Sequence, residues 1–368
     1  MKKHRLYLIP LTIFAMIIIG FAFYFLLCKK PVDTSDSLIE NTDTSVTNFS
    51  NDTNGTNTTP EPVTDYLEAS ELVDEATITA ALQADVTTNS CTDLSVPTYI
   101  TKVDNTYFLV DCYHDQVIYH DNLTSPLTDW KVMTNDMNKG HTIASDGIVY
   151  LIDDTENHRI LVFEKKDNKF IHTQTFSNIG NRPHYVIYDE ATDTFYAWSS
   201  MSGEMYLFRH NQDDTRMYLT EIRKIDALNN VYVRSFTILD DEIYFVSGNS
   251  SIIRADLETF EILETYAVPD SMAGMIQLTQ IQDYYYITVS TDITGNQDYA
   301  TILRTEDLST LMDGEYEDIY HHFIGGGTPY YITTFDDAYY LTEHRLPGHS
   351  VWRFQVTDNE IVDVESVY

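Results

Sequence analysis

The chain has 368 residues and carries 57 acidic side chains against 22 lysines and arginines, a formal net charge of −35. Phosphate backbones need a basic footprint, so this balance excludes nucleic acid as a partner and leaves cationic ligands, divalent metals and basic proteins open. Tyrosine is abundant at 27 residues, a bias that suits β-strands.

The amino-terminal region reads as an uncleaved membrane anchor over residues 1–30. Lys2, Lys3, His4 and Arg5 precede an uncharged apolar run from Leu6 to Leu27, closed by Cys28, Lys29 and Lys30. At about 1.5 Å per residue the run spans roughly 33 Å as a helix, enough for a hydrocarbon core of about 30 Å. A cleaved signal would have a shorter apolar region and small residues before the cut, and Leu27 stands where a lipoprotein signal has Gly, Ala or Ser. The excess of positive charge before the run predicts an inside amino terminus and an extracytoplasmic carboxy-terminal domain.

Residues 31–64 are rich in Ser, Thr, Asn and Asp and nearly free of apolar side chains. Such a segment buries too little surface to offset its ordering entropy, so it is expected to be a disordered linker. Asn48, Asn51, Asn54 and Asn57 lie in N-x-S/T sequons there, as do Asn122 and Asn249 further on.

The domain from 65 onward is repetitive. Ser70 to Leu82 reads as a short helix, or as an extra strand closing a ring. From about residue 97 one pattern recurs: a short strand, a turn, then a strand led by an aromatic residue and ending in a small or acidic one. Its anchors are Tyr107, Tyr150, Tyr196, Tyr244, Tyr286 and Tyr340, spaced 43, 46, 48, 42 and 54 residues apart. Third strands such as Arg159–Phe163 and Val351–Phe354 follow, then more polar fourth strands such as Phe170–Phe176 and Arg216–Ile225, with Ile361–Tyr368 ending the last repeat. Six repeats of four strands predict an all-β fold, a six-bladed β-propeller.

Asp153-Asp154-Thr155-Glu156-Asn157-His158-Arg159-Ile160 resembles the core of an NHL repeat, with Asp111 to Ile118 a weaker copy. The resemblance implies an NHL-like propeller. Such propellers serve as binding platforms and sensors, and related streptogramin-lyase-like ones as lyases.

In a propeller, the start of each first strand and the loop after each second strand share one face around the channel. Nine positions before the anchor tyrosines stand Thr98, His141, Ser235, Gln277 and Tyr331, with His184 equivalent in the third repeat. These polar residues in apolar strands predict a ring at the channel mouth. His141 and His184, from adjacent blades, are candidates for a divalent metal site or for acid–base work, with Arg234 and Tyr331 placed to stabilise negative charge. His114, His158, His344 and His349 fall on the same face, with His321 and His322 in a crossover; His158 belongs to the repeat signature.

Glu343 to His349 is chemically dense, and its Pro347-Gly348 turn would bring His344 and His349 together beside Glu343. Gly325-Gly326-Gly327 lacks the Lys and helix of a phosphate loop and reads as a tight crossover. The loop Thr291–Tyr299, with Asp292, Asn296 and Asp298, offers oxygen ligands for Ca²⁺ or a solvated loop. Cys91 and Cys112 fall near the top of the first blade, where an oxidising compartment would pair them. No Gly-x-Ser-x-Gly or His-Glu-x-x-His is present. The expectation is a membrane-held platform for a protein, peptide or glycan; the alternative is a metal-assisted lyase or hydrolase.

Overall fold

The structure is a computed structural model that describes residues 66–368 apart from 212, 213 and 347. The expected anchor at Leu6–Leu27 and the linker lie outside the described residues. Among the described residues no helix is long and apolar enough to cross a membrane.

Six antiparallel sheets follow one another along the chain, each built on four consecutive strands, over 97–134, 143–177, 183–224, 233–267, 275–318 and 328–366. They are the six blades of a propeller. Each anchor tyrosine lies in the second strand of its blade, from Thr106–Asp111 in the first to Ala338–His344 in the last. The third strands run on to Lys166 and Thr357, and Glu360–Ser366 completes blade six. Six apolar clusters fill the blade interfaces. Trp198 of blade three meets Phe245 of blade four at 4.6 Å between ring centroids, and Phe108 of blade one meets Tyr150 of blade two at 5.4 Å. Full burial of such a side chain contributes about 1.5–3 kcal/mol.

The small or acidic residue ending each second strand has a physical task. Asp111 accepts the backbone N–H groups of Ser95 and Val96, Asp153 those of His141 and Thr142, and the Ser199 hydroxyl that of Asn181. Each satisfies donors of the chain entering the first strand. Asp154, in the segment that resembles an NHL repeat, binds Arg159 Nε at 2.6 Å and Asn157 Nδ2 at 3.0 Å, and it caps Asn138 N at 2.7 Å.

Every first strand is the inner edge of its sheet. Its outward backbone groups have no partner in their own blade, so the neighbouring blade supplies one. Thr98 Oγ1 donates to His141 O at 2.7 Å, and Val186 N donates to Thr142 Oγ1 at 2.8 Å. His184 Nδ1 donates to Arg234 O at 3.1 Å and Ser235 Oγ to Ile276 O at 2.6 Å. Gln277 exchanges two hydrogen bonds with the Ile332 backbone, at 3.0 and 2.6 Å. Thr342 Oγ1 returns the circuit to Thr98 O at 2.7 Å.

Residues 66–96 form a strap across the outer rim, and the short strand does not close the ring. Leu67 bridges to Leu219 of blade three, Glu71–Leu72 pairs with the outer strand of blade two, and Thr88 bridges to Lys131 of blade one. Between them runs the helix Glu75–Gln83, capped by Asp74 on Thr77 N at 2.8 Å.

No strand is shared between blades six and one, so side chains close the seam. Tyr368 carries much of it. Its hydroxyl accepts Trp130 Nε1–H at 2.9 Å and donates to Ser125 O at 2.6 Å, while its carbonyl accepts Ser350 N–H at 2.6 Å. Tyr368→Ala should lower the unfolding free energy by about 2–4 kcal/mol, since it opens a cavity at the seam and removes a hydroxyl that joins Trp130 to the Ser125 carbonyl. Denaturant unfolding checks this; a loss below about 0.5 kcal/mol, the scale of an ordinary surface change, would place closure elsewhere.

On the opposite face His210 of blade three meets Asp146 of blade two at 2.5 Å, both nearly buried. Burial opposes charge on the imidazole, but the hydrogen bond and attraction of Asp146 outweigh it and hold the pKa up at about 9. The folded value lies above the unfolded value of about 6.5, so this stabilisation is complete below pH 6.5 and is lost as pH rises through 9. Wild type should lose on the order of 2 kcal/mol across that window, and His210→Gln should lose much less. Chemical denaturation at pH 6 and pH 9.5 measures the difference.

Candidate functional site

The ring residues enter the channel through a shared backbone device. Strand pairing slips between Pro97 and Tyr99, Pro183 and Tyr185, Val233 and Phe236, Met275 and Gln277, and Pro329 and Ile332. Each irregularity falls at or beside a ring position, and a bulge re-aims the side chain it carries. Thr98, Ser235 and Gln277 are buried and consumed by the blade-to-blade circuit, which leaves them little to offer a ligand.

His141 and His184 do meet. Their rings stack with centroids 3.7 Å apart and planes 24° from parallel. His184 is fully buried, and its pKa is pushed well below the ordinary value, first by burial and then by the charge of His141 and the nearby arginines. A carbonyl only accepts, so the bond to Arg234 O places the proton on Nδ1, and Nε2 accepts Tyr232 OH at 3.1 Å. Tyr331 OH lies 3.4 Å from the same carbonyl.

His141 is held from the other side. Asp153, fully buried, accepts Thr155 Oγ1–H at 3.0 Å, and Thr155 Oγ1 in turn lies 2.9 Å from His141 Nδ1. This leaves His141 Nε2 facing Cys112 Sγ at 3.8 Å. The expected Cys91–Cys112 disulfide is therefore corrected: both thiols are free, and Cys112 is turned inward against the imidazole. Burial, with the charge of Asp153, pushes the Cys112 thiol up, which makes it a weak nucleophile.

The donor set does not fit a metal. All four imidazole nitrogens of the stack have protein partners, and among the described residues no group of three His, Cys, Asp or Glu side chains converges. The Thr291–Tyr299 loop is likewise self-satisfied, since Asp292 Oδ1 accepts Thr294 N, Thr294 Oγ1 and Asn296 N.

Glu343 and His349 come together around Trp352, and His344 lies apart. Alternation along the strand sends Glu343 inward, where it accepts Tyr320 OH and Trp352 Nε1–H, the latter at 2.8 Å. Burial raises its pKa. A Cβ on Gly327 would fall 1.8 Å from Glu343 Oε1, so the glycine run of the crossover makes room for this carboxyl group. His349 stacks on Trp352 at 5.4 Å, while His344 lies 6.1 Å from Tyr330 beside the channel. His114 binds Asp111 at 2.6 Å, His158 Nδ1 accepts Arg182 N–H at 3.0 Å, and His321 lies against His322; none joins the stack.

No known protein-family model matches the chain, and no curated protein does. Solved propellers do. A 6-phosphogluconolactonase-like protein from Bacteroides uniformis superposes with a TM-score of 0.53 at 11% identity, over 75% of this chain and 86% of that one. A second such protein, from Bacteroides fragilis, gives 0.52 at 12%, over 73% and 82%. A streptogramin B lyase gives 0.51 at 15%, over 76% and 85%. At these identities the likeness shows the fold. The NHL resemblance, strong in the second repeat and weaker in the first, is not matched by any family model.

The accessible part of the mouth holds residues the repeat register did not single out. Tyr232 and Arg182 are half-buried beside Arg234, and both guanidinium carbons lie within 6 Å of the Tyr232 ring, Arg234 at 4.8 Å. Their place in the chain was the available signal, because Tyr232 stands just before the strand Val233–Leu239 that carries Arg234. Around this centre the same face exposes Tyr113, Ile293, Tyr299 and Ile324. At the seam of blades six and one a cleft of about 520 Å³ is lined by Asp93, Leu94, Arg345, Leu346 and Tyr368.

His184→Ala should cost about 2–4 kcal/mol, because it leaves Tyr232 OH without its partner and opens a void. A chelator should leave the melting temperature of wild type unchanged. Stoichiometric metal in purified protein, with destabilisation on its removal, would overturn the reading of the stack as structural.

Proposed function

We propose that this chain is a membrane-anchored, extracytoplasmic propeller that binds a protein or peptide across the face bearing the channel mouth. The observation that carries the reading is the set of large apolar side chains exposed on that face: Tyr113, Ile293, Tyr299 and Ile324. All four stand on loops after second strands or on a crossover of one face, where a rigid scaffold presents binding residues. Such side chains suit a peptide or protein better than a glycan. Membrane attachment is supported by the uncharged run from Leu6 to Leu27 and the flanking lysines.

A second reading, hydrolase or lyase, draws on one observation. Tyr232 donates to the neutral His184 Nε2 at the open side of the mouth, a pair able to pass a proton to a bound substrate. In that version Arg234 stabilises developing negative charge and no metal takes part in the step.

The two faces can be separated by a photo-crosslinking amino acid introduced singly at Tyr299, Ile324, Ile148 and Met312 of the full chain in its native membrane. Ile148 and Met312, equally exposed, lie in turns of the opposite face. A common adduct from 299 and 324, absent from 148 and 312, is expected. Adducts from the opposite face alone would sink the proposal.

A further inference from the structure

Among the described residues every arginine except Arg209, Arg234 and Arg345 lies within 4.0 Å of a carboxylate. Arg209 is spent on the Thr194 and Thr220 hydroxyls. Of the other two, Arg234 stands at the channel mouth and Arg345 lines the cleft at the seam of blades six and one. In a chain with 57 acidic residues against 22 basic ones, two unneutralised guanidinium groups on one face need a reason. Both charges reach His344, whose pKa is pushed down to about 4, first by burial and then by Arg345 and Arg234.

Arg234 is held rigidly but incompletely. Its Nη1 donates to Gly274 O at 3.1 Å and Met275 O at 3.3 Å, and the guanidinium lies over the Tyr232 ring. Among the described residues, Nε and Nη2 meet no acceptor. That pair of parallel N–H bonds is the edge that grips two oxygens of a planar anion. The acidic groups nearby are already engaged. Glu156 pairs with Arg182 at 2.9 Å, and buried Asp153 accepts from His141, Thr142 and Thr155. Arg345 is also fixed: Nη1 donates to Gln297 at 3.0 Å, Nη2 binds Gly327 O, and its backbone sits at φ 78°, a strained conformation for so large a side chain.

We propose that the free Nε–Nη2 edge of Arg234 receives a carboxylate of the ligand, with Arg345, the other guanidinium on this face without a carboxylate partner, adding positive charge. This rests on the binding-platform reading and names the group recognised. A carboxylate suits the site better than a phosphate, because one free edge offers two donors and a phosphate would leave further oxygens unpaired. It is also less charged, and the chain's net charge of −35 repels a dianion more strongly. The carboxylate could belong to a peptide carboxy terminus or to a small organic acid.

The test follows arginine Nε–Hε resonances of the full-length chain by NMR at constant ionic strength. The Arg234 signal is identified by its loss in Arg234→Lys. Probes are trialanine, trialanine amide, acetate and inorganic phosphate. A saturable shift with trialanine, absent with the amide, is expected, and Arg234→Gln should weaken trialanine binding about tenfold or more. Acetate binding much more weakly than trialanine points to a peptide terminus; equal binding points to a small acid. Equal shifts from acid and amide, a response to phosphate alone, or no response to any probe would each overturn the proposal. The acid–amide comparison in wild type stands even if the Gln variant fails to fold. Loss of the carboxylate response with adducts at 299 and 324 retained removes this inference and leaves the platform; the converse removes the platform and leaves an acid-binding site.

Discussion

The inner edge of each blade is the constraint on which the rest of the molecule depends. A four-stranded sheet standing on its edge beside a channel leaves one row of N–H and C=O groups unpaired, and each such group buried without a partner costs about 1–3 kcal/mol. Here the neighbouring blade answers with a hydroxyl, an amide or an imidazole, six times around the ring. Shape and chemistry are thereby coupled. The polar residues that line the channel are the ones that hold the blades in register, and most of their hydrogen-bonding capacity is spent on doing so.

This coupling explains why a pair of stacked histidines need not be a metal site. Two imidazoles with centroids 3.7 Å apart repel if both are charged, and burial penalises charge further. His184 therefore stays neutral, with its tautomer set by a backbone carbonyl. The stack orders what lies above it. Tyr232 is oriented by His184, Arg234 lies on Tyr232, and a strongly acidic protein thereby presents a local cationic surface at its mouth.

Much of the architecture was legible because repetition makes it redundant. Six tyrosines at blade-sized spacing, each in an apolar strand ending in Asp, Ser or another small or acidic residue, define strands, register and face together. The ring positions were legible too, as polar residues in otherwise apolar strands. Their purpose was not. Thr98, Ser235 and Gln277 look alike as ligand contacts or as stitches, and only the blade alongside shows which. Glu343, His344 and His349 look like a cluster along the chain, but alternation along the strand sends His344 to Tyr330 while Glu343 and His349 share Trp352.

The amino-acid sequence by itself determined the all-β class, the six repeats of four strands and the face on which His141 and His184 would meet. These depend on patterns local to each repeat, which recur and reinforce one another. Tertiary structure alone decided the partners. The pairing of Cys112 with His141, the seam closed by Tyr368 and the free edge of Arg234 each join residues of different blades or blade ends. Such contacts depend on bulge geometry and blade packing, which fix side-chain direction to within an ångström and leave no periodic trace in the chain.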